Sequence, residues 1–524
     1  MLRKGILVAA VAALFSAPPA SADVRSDSLQ IRRGLERAVD AGRLTRSEAG
    51  AHRVTLRRAR AVFTLLPGAR ARELAGVLHD VALQWRRYNR PRSLALFSML
   101  DANADFLSVH NVPRERSDIV AGDGVVYRLF AGHGFQFHPL GNFAALNSHV
   151  TDGRDAAAAT LASSLVARGV RQDGARVWEY YFAFGGGRPP WTSGMAQAVA
   201  AQALARAGRR LDDRSALGAA AGAYRAVPLG LLLGLATGPW IQHYDFSRLV
   251  VLNAHLQSVL SIWAYAEIAA DSGATALGDR MEASAKSLFP RFDTGYWSRY
   301  SLGNDSDLHY HQYVVSLLNT LARRTADEFW AGKAARFQLY LEQPPLFRVG
   351  RVPTLYPVPA EGFRDVARVA YWVSKPSRVV VTVGGQRFSG AVGGGWHRFV
   401  WQPGRRPAGD YAVRISAVDL AGNRATQDLT TIELKRDREP PQLSGTLAGR
   451  RLSWKAVDPA TPWLRLTLVL ERPDERKRVD LGRRPLSGAI TLQRLGLRWE
   501  ATLVAADSSG NRARIDLGPF GGRG

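Results

Sequence analysis

The chain has 524 residues, 46% of them hydrophobic and 22% charged, which is typical of a globular protein too long for a single core. It contains no cysteine, which excludes disulfides, thiolate catalysis and cysteine-ligated metal sites. Lys and Arg outnumber Asp and Glu by 70 to 45, and the resulting net charge of +25 favours an anionic partner such as nucleic acid, an anionic lipid surface or an acidic polysaccharide.

Residues 1–22 have the pattern of a secretory signal peptide. A basic Arg3-Lys4 pair precedes an apolar run from Gly5 to Phe15, and Ala20-Ser21-Ala22 supplies the small residues of a cleavage site. The apolar run is too short to span a bilayer comfortably, and no other segment is long and apolar enough. We therefore expect cleavage after about Ala22, no stable membrane insertion, and a mature protein that is secreted or lies in the periplasm or cell envelope.

Residues 23–342 form the helical part of the chain. Long segments rich in Ala, Leu and Arg are separated by Gly and Pro turns, and 156–168, 193–207 and 249–268 are examples. Helices in this number predict a layered helical array or an α/α toroid rather than a small bundle, and we take the toroid as the fold class. In such a toroid the loops at one end gather into a cleft.

Three loops of this part concentrate aromatic and polar side chains, and they span 132–139, 178–191 and 240–245. We expect their side chains to bind substrate, together with one asparagine from a neighbouring helix and one histidine from a later segment; the candidates are Gln136, His138, Arg188, Trp191, Trp240, Asn147 and His311. The glycine triplet at 185–187 lacks the Lys-Ser/Thr ending and the preceding strand of a phosphate-binding loop, so it does not predict a nucleotide site.

The densest group of phenols and imidazoles lies between Tyr296 and Tyr313. Two turn signals predict a hairpin that carries Tyr300, and a helical pattern follows the Tyr310-His311 pair. Phenols and imidazoles so close together favour proton transfer on a polar ring substrate. The alternative is that these aromatic side chains pack the hairpin onto the helix.

Beyond about Gln343 the pattern changes to prolines and alternating β-type residues. The sequence from Asp419 to Asn423, with its Asp-x-x-Gly-Asn pattern, recurs 88 positions later from Asp507 to Asn511, which is one small sandwich's length of chain. The repeat predicts two all-β immunoglobulin-like sandwiches at 343–436 and 437–524. Its pattern is compatible with calcium but is more typical of a hairpin turn, so we predict neither a metal nor a cofactor.

Several motifs of the helical part resemble the C-terminal domain of D-glucuronyl C5-epimerases. They are Gln136–Phe143, Pro190–Gln197 with the sequence Pro-Trp-Thr-Ser-Gly-Met-Ala-Gln, Val251-Leu252-Asn253, Tyr300-Ser301-Leu302 and Tyr310-His311. They occur in the family's order over roughly residues 125–341, and the sandwiches lie outside the resemblance.

The resemblance implies an α/α toroid that binds an acidic polysaccharide and converts D-glucuronate to L-iduronate. It also implies catalytic tyrosines at Tyr244, Tyr300 and Tyr310. Two departures from the family pattern stand out. The family's paired glutamates are replaced by Gln242-His243, and its Tyr-Asp-Leu-Arg pattern loses the acid and the arginine in Tyr300–Gly303. A histidine titrates near neutrality, so His243 is our candidate for the base.

Epimerisation at C5 removes a proton beside a carboxylate, so the site must stabilise an enolate-like dianion and place proton carriers on both faces of the sugar. A tyrosine base would need its pKa depressed by positive charge or by hydrogen bonds. We expect His243, His311 or an arginine such as Arg188 or Arg299 to supply this charge or these hydrogen bonds.

Three functions remain open. The first is the epimerase, and the second is a lyase in which the same carbanion expels the substituent at C4. The third is a non-catalytic polysaccharide-binding or envelope protein. We expect an acidic polysaccharide as the partner in each case and, because no nucleic-acid motif is present, no nucleic acid. The sequence fixes neither the polymer nor the oligomeric state.

Overall fold

The chain divides into a helical unit and a β unit. The computed structural model describes residues 23–522, so the predicted signal peptide lies outside the described residues. The two compact units are Met1–Tyr340 and Leu341–Gly524, with a boundary close to the one predicted after residue 342. The predicted fold class, a helical α/α part followed by all-β sandwiches, is confirmed.

The described part of the first unit contains twelve α-helices, α1 to α12. They span Val24–Asp40, Arg46–Leu65, Gly68–Leu83, Arg90–Val109, Pro139–Thr151, Asp155–Arg168, Gly194–Leu211, Arg214–Gly230, Leu252–Ala269, Ser272–Leu288, Leu308–Thr325 and Glu328–Tyr340. Short antiparallel strands, β1 to β9, lie between them at Asp118–Val120, Val126–Phe130, Gly134–Phe137, Val170–Gln172, Ala175–Val177, Leu232–Leu235, Gly238–Ile241, Arg299–Ser301 and Asn304–Asp305. Within residues 23–522, no helix is both long and apolar enough to cross a membrane.

Local capping sets where several helices begin. Thr45 and Glu48 form a capping box at the start of α2, and the Asn89 side chain accepts a hydrogen bond from the N–H of Arg92 in α4. The Asp307 carboxylate accepts from the N–H of Tyr310 at 2.8 Å. This last cap starts α11 four residues earlier than the apolar pattern indicates and places Tyr310 in its first turn.

The helices from α5 onward form two layers. Consecutive helices pair as helical hairpins: α5–α6, α7–α8, α9–α10 and α11–α12. The first members of these pairs, α5, α7, α9 and α11, contact one another in succession. The first members are the inner layer: 13 of the 18 residues of α7 are buried, against 7 of the 17 residues of α8. The many alanines of α7 allow its neighbours to approach closely.

A polar side chain at the fourth position of each inner helix forms a hydrogen bond with the backbone of the β-hairpin that precedes that helix. Asn142 in α5 accepts from the N–H of Val126 and donates to its C=O, and Gln197 in α7 donates to the C=O of Trp178. His255 and His311 occupy the same position in α9 and α11. All four side chains are fully buried, so each one satisfies backbone groups that would otherwise lie unpaired in the interior. We call these four residues the hairpin anchors.

The two histidine anchors share one geometry. His255 Nδ1 accepts from the N–H of Ile241 at 3.0 Å, and its Nε2 donates to the C=O of Met281 at 2.9 Å. His311 likewise accepts from Ser298 N–H at 3.2 Å and donates to Phe337 C=O at 2.9 Å. Each imidazole therefore joins a hairpin to the outer helix that follows.

The second unit consists of two sandwiches built from strands β10 to β23. These span Phe347–Val349, Ala367–Val373, Ser377–Val383, Gln386–Val392, Gly395–Trp401, Gly409–Asp419, Arg424–Leu434, Gln442–Ala448, Arg451–Val457, Trp463–Arg472, Glu475–Pro485, Ser487–Thr491, Trp499–Ala506 and Arg512–Phe520. Sheets β10-β11-β14 and β13-β12-β15-β16 enclose one core, and sheets β17-β18-β21 and β20-β19-β22-β23 enclose the other. The strand orders correspond one to one, as the sequence repeat predicts.

We expect His255→Ala to lower the unfolding free energy of the helical unit by about 2–4 kcal/mol, because it opens a cavity and leaves two buried backbone groups unpaired. Calorimetric or denaturant unfolding measures the change. His110→Ala, the same substitution at an exposed site, is the control and should stay within about 0.5 kcal/mol of the parent. Equal effects of the two substitutions would contradict the anchoring role.

Candidate functional site

The N-terminal ends of the inner helices are joined by backbone hydrogen bonds and bridges. Gly194 N–H, at the start of α7, donates to Gln242 C=O, and Asp245 N–H donates to Thr192 C=O. Val251, which precedes α9, forms a β-bridge with Ser301 of β8. Tyr244, Tyr300 and Tyr310 therefore lie at one end of the inner layer, where the helix dipoles give a positive potential that the Asp307 carboxylate at the start of α11 partly offsets.

Three phenols meet at this end. Tyr300 lies on β8 and Tyr310 in the first turn of α11, with ring centroids 4.6 Å apart. Tyr244 follows β7 and interacts electrostatically with both. The residues are 7%, 3% and 9% exposed for Tyr300, Tyr310 and Tyr244 respectively. The structure thus brings the three predicted catalytic tyrosines together, but it leaves little of their surface open to solvent.

Burial makes these phenols weak acids. It raises the pKa of Tyr300 to about 12 and also raises the pKa of Tyr310 and of Tyr244, and for the latter two the neighbouring phenols add to the effect. The Arg116 guanidinium acts in the opposite direction on Tyr244 and Tyr310, but burial outweighs it. A tyrosine base needs a depressed pKa, whereas the structure holds all three phenols neutral, as hydrogen-bond or proton donors.

His243 is neutral for the corresponding reason. Its ring centroid lies 4.1 Å from that of Tyr244, and burial lowers the pKa of His243 to about 4. Its Nδ1 is buried without a hydrogen-bond partner. An uncharged imidazole with an unused ring nitrogen is able to accept a proton at neutral pH.

Aromatic rings surround Tyr244 and Trp191. Trp191 stacks on Tyr180, with centroids 4.1 Å apart and ring planes within 3°, and its Nε1 donates to Phe182 C=O. Phe246 stacks on Tyr244 at 5.4 Å, and Phe184 lies against the Tyr244 edge at 5.6 Å. Trp191 is thus a buried part of this cluster and does not present a free face to a sugar.

His311 and Trp240 differ from the substrate-binding roles expected of them. His311 is 0% exposed, both of its ring nitrogens are bonded within the protein, and its ring stacks on Trp297 at 3.9 Å. Trp240 is also 0% exposed and stacks on His255 at 3.7 Å. His311 is a hairpin anchor and Trp240 stacks on another, so neither has a surface on which to contact a substrate.

The other candidates are spread more widely. His138 caps α5 by accepting from the N–H of Gly141, and burial holds the pKa of His138 well below its usual range. Gln136 is fully buried and donates to Asp80 at 3.0 Å. Asn147 accepts from Arg206 farther along α5, and Arg188 is exposed on the glycine-rich loop. Of these four, His138 is the one in contact with the aromatic cluster, through Tyr180 at 5.6 Å.

Two residues at the site were missed by the sequence reasoning. Tyr180 adds a fourth phenol, whose hydroxyl accepts from the N–H of Leu140 at 3.4 Å. Arg116 comes from the segment before β1 and has a left-handed backbone with φ of 67°. Tyr180 lies in the loop 178–191, one of the three that the sequence singles out. Arg116 belongs to no motif, and its positive charge is the one signal for it in the sequence.

The first unit has a cavity of about 350 Å³ beside the same loops, and none of the phenols lines it. Arg92 and Glu179, an ion pair at 2.7 Å, lie on its wall. The lining residues are Arg87, Arg92, Gln172, Asp173, Ala175, Val177, Glu179, Pro190, Thr192, Ala226, Leu229, Gly230, Leu231 and Asp245. Because the cavity contains none of the phenols, we do not take it as the catalytic pocket.

Metal-ligating side chains do not gather near the phenols. Within residues 23–522, the one group of three carboxylate or imidazole side chains close enough to share an ion is Asp437, Asp458 and Asp507, in the second unit. The phenol site itself therefore offers proton donors, one neutral imidazole, the positive charge of Arg116 and the negative charge of Asp307, which raises the pKa of Tyr300 and of Tyr310.

Comparison with known families agrees with the motif resemblance. Residues 172–339 match the family model described as D-glucuronyl C5-epimerase C-terminus, and this segment contains Trp191, His243 and the three clustered phenols. Gln136, His138 and Asn147 precede the matched segment. No curated protein matches the chain.

Three solved structures are examples of those to which the chain is similar. Cellobiose 2-epimerase from Bacillus thermoamylovorans is 9% identical, covering 52% of this chain and 75% of its own, with a TM-score of 0.35. Endo-β-1,4-glucanase CMCax from Acetobacter xylinum is 12% identical, covering 39% and 72%, with a TM-score of 0.29. The fibronectin(III)-like modules of Clostridium thermocellum CbhA are 12% identical, covering 34% and 94%, with a TM-score of 0.17.

We expect the imidazole of His243 to stay neutral from pH 8 to about pH 5 and to gain its proton near pH 4, because burial disfavours the charged form. Histidine-selective NMR, with the His243 signal assigned by its loss in His243→Gln, measures the titration. Exposed His110 provides the reference signal in the same sample. A His243 midpoint near 6.5 would contradict the burial described for this ring.

Proposed function

We propose that this chain, whose residues 172–339 match the D-glucuronyl C5-epimerase C-terminus, inverts C5 of D-glucuronate units in an acidic polysaccharide. The observation that carries the proposal is the meeting of Tyr244, Tyr300 and Tyr310 beside neutral His243, all within that matched segment. The proposal includes export of the mature chain, on the sequence pattern of residues 1–22 alone.

The electrostatics of this end of the helices favour an anionic sugar. The N-termini of α7 and α9 lie beside the phenols, and helix N-termini attract carboxylates, whereas the N-terminus of α11 is already capped by the Asp307 carboxylate. Arg116 acts electrostatically on both Tyr244 and Tyr310. We assign to Arg116 the neutralisation of the uronate carboxylate, whose negative charge increases when C5 loses its proton.

The protonation states favour a division of roles. Neutral His243 accepts the C5 proton, and the approaching carboxylate raises the pKa of the imidazole toward the range that a base requires. Tyr310 or Tyr300 donates a proton to the opposite face, because both phenols are protonated in the resting site. In the reverse direction the same groups exchange roles.

Access to the phenols requires movement of the residues that cover them. Phe184 lies on the edge of Tyr244 and begins a tight turn closed by a hydrogen bond from Gly187 N–H to Phe184 C=O. Gly185 and Gly186 have positive φ values of 54° and 86°, a backbone that favours glycine. We propose that this turn, with exposed Arg188 at its end, moves aside when the polymer binds.

A non-catalytic polysaccharide-binding protein is the second candidate, and the observation that favours it is the 3–9% exposure of the three phenols. The family's glutamate pair is also absent, since Gln242-His243 stands in its place. A β-eliminating lyase shares the carbanion of the epimerase and differs from it in the bond broken next. Isotope exchange and ultraviolet absorbance separate the three functions.

We expect the purified protein to incorporate deuterium from D₂O at C5 of a uronate polymer without cleaving the chain. Tyr310→Phe and Tyr300→Phe should each slow incorporation by about 10²- to 10⁴-fold, because each removes a candidate proton donor. Mass spectrometry and NMR of heparosan-type and chondroitin-type polymers measure the exchange. Tyr224→Phe, on the outer helix α8, is the matched control and should exchange at the parental rate.

The outcomes of this experiment distinguish the candidate functions. Absorbance from an unsaturated uronide would identify a lyase instead. Absence of both exchange and absorbance across the panel would reject catalysis on these polymers in favour of binding. Unchanged exchange in both tyrosine variants would move the chemistry away from this cluster.

We expect Arg116→Gln to slow C5 exchange by roughly 10²- to 10³-fold, the loss typical of removing one group that stabilises developing negative charge. The deuterium-incorporation rate at saturating polymer measures it. Arg114→Gln removes an exposed arginine two positions earlier and should leave this rate nearly unchanged. Equal losses in both variants would assign the effect to overall charge rather than to Arg116.

A further inference from the structure

The two sandwiches of the second unit carry the same aspartate at the same place. Asp419 ends β15 and Asp507 follows β22, the corresponding strand of the second sandwich. Each carboxylate accepts a hydrogen bond from the backbone N–H of the asparagine four residues later, Asn423 at 2.8 Å and Asn511 at 2.9 Å. The turns are therefore equivalent, and the groups facing the two aspartates can be compared directly.

In the first sandwich a lysine occupies the space beside the aspartate. Lys375, in the loop between β11 and β12, places Nζ 3.2 Å from Asp419 Oδ2 and also donates to the C=O of Gln343. The two side chains are 1% and 0% exposed. The Lys375 ammonium thus fills a buried position next to the turn that begins at Asp419 and next to Gln343, which lies in the segment that leads into the first sandwich.

In the second sandwich two carboxylates stand in the corresponding places. Asp458 lies in the loop between β18 and β19, and Asp437 lies in the segment before β17. One carboxylate oxygen from each of Asp437, Asp458 and Asp507 lies within 4.8 Å of those of the other two. Where the first sandwich has one carboxylate and one ammonium, the second has three carboxylates.

The bonds within the second sandwich leave part of this charge unsatisfied. Asp458 is only 8% exposed; its Oδ1 accepts from Ala460 and Thr461, but its Oδ2 is buried without a partner. Asp437 Oδ2 is likewise buried without a partner. Within residues 23–522, no lysine, arginine or histidine forms an ion pair with any of the three, although Arg436 and Arg438 flank Asp437 in the sequence.

Burial raises the pKa of Asp458 and of Asp507, and repulsion between the carboxylates adds to the effect. Such an arrangement is destabilising unless a cation neutralises it. An all-oxygen set of three carboxylates suits a hard divalent ion, and the larger Ca²⁺ tolerates irregular geometry better than Mg²⁺ does.

We propose that Asp437, Asp458 and Asp507 bind a calcium ion at the position that the Lys375 ammonium occupies in the first sandwich. The ion joins the segment between the sandwiches, through Asp437, to the loops of the second sandwich. Calcium thereby holds the segment that leads into the second sandwich, as the bond from Lys375 to Gln343 holds the segment that leads into the first. The site is separate in sequence and in chemistry from the phenol cluster.

The test uses the full chain, stripped of metal with a chelator, and titrates it calorimetrically with CaCl₂. We expect saturable binding of one ion per chain, and a thermal transition that rises by about 5 °C when calcium exceeds the dissociation constant roughly a hundredfold. Asp458→Asn and Asp437→Asn should each weaken binding at least tenfold. Asp474→Asn, at an exposed position of the same sandwich, should bind as the parent does.

The metal-free state provides a second readout. Asp458→Asn removes repulsion, so without calcium it should unfold at or above the temperature of the metal-free parent, whereas a merely structural aspartate would lower that temperature. If Asp458→Asn fails to fold, half-buried Asp437→Asn carries the binding test. Asp458→Lys, which imitates the first sandwich, should fold without any response to calcium. Absence of saturable binding by the parent, or parental affinity in both asparagine variants, would overturn the proposal.

Discussion

The bond between the fourth residue of each inner helix and the hairpin before it is the constraint on which the helical unit depends. A toroid of helical hairpins leaves backbone groups of its connecting strands facing the interior, and these groups need partners there. The partners come from the four successive inner helices, as the side chains of Asn142, Gln197, His255 and His311. Because each anchor holds the hairpin in register with a helix N-terminus, it also sets where the loop side chains converge. The phenol site is thus a consequence of the same bonds that stabilise the fold.

This constraint explains which parts of the site the sequence predicted. Periodicity and turn residues were sufficient for the helices and sandwiches, and the Tyr300 and Tyr310 motifs indicated a cluster that the structure does assemble. His311 illustrates where such reasoning ends. It follows Tyr310 directly, yet one residue along a helix rotates a side chain by about 100°, so that Tyr310 points to the cluster and His311 to the core. Its partner Phe337 lies 26 residues away, and no local pattern in the sequence identifies that bond.

The charge state of the site was harder to predict than its location. The sequence led us to expect that His243, His311 or an arginine such as Arg188 or Arg299 would depress the pKa of a catalytic phenol. In the fold, burial destabilises the phenolate form of all three tyrosines, and the charge of Arg116 stabilises it less for Tyr244 and Tyr310. Tyr244, Tyr300 and Tyr310 therefore remain protonated. The same burial keeps His243 neutral. Residue types alone do not reveal this reversal, because desolvation depends on how completely Phe184 and its neighbours cover the rings.

The paired sandwiches show how a repeat can conserve a turn while changing the chemistry beside it. The sequence exposes the repeat at Asp419 and Asp507, since the five residues from Asp to Asn align without gaps. It does not align Lys375 with Asp458, because their loops differ in length and share no motif. Only the matching strand order places the ammonium of one sandwich where the other has carboxylates. A buried ammonium neutralises its neighbour permanently, whereas a carboxylate triad depends on an external cation, so the second sandwich alone makes its connection responsive to the surrounding medium.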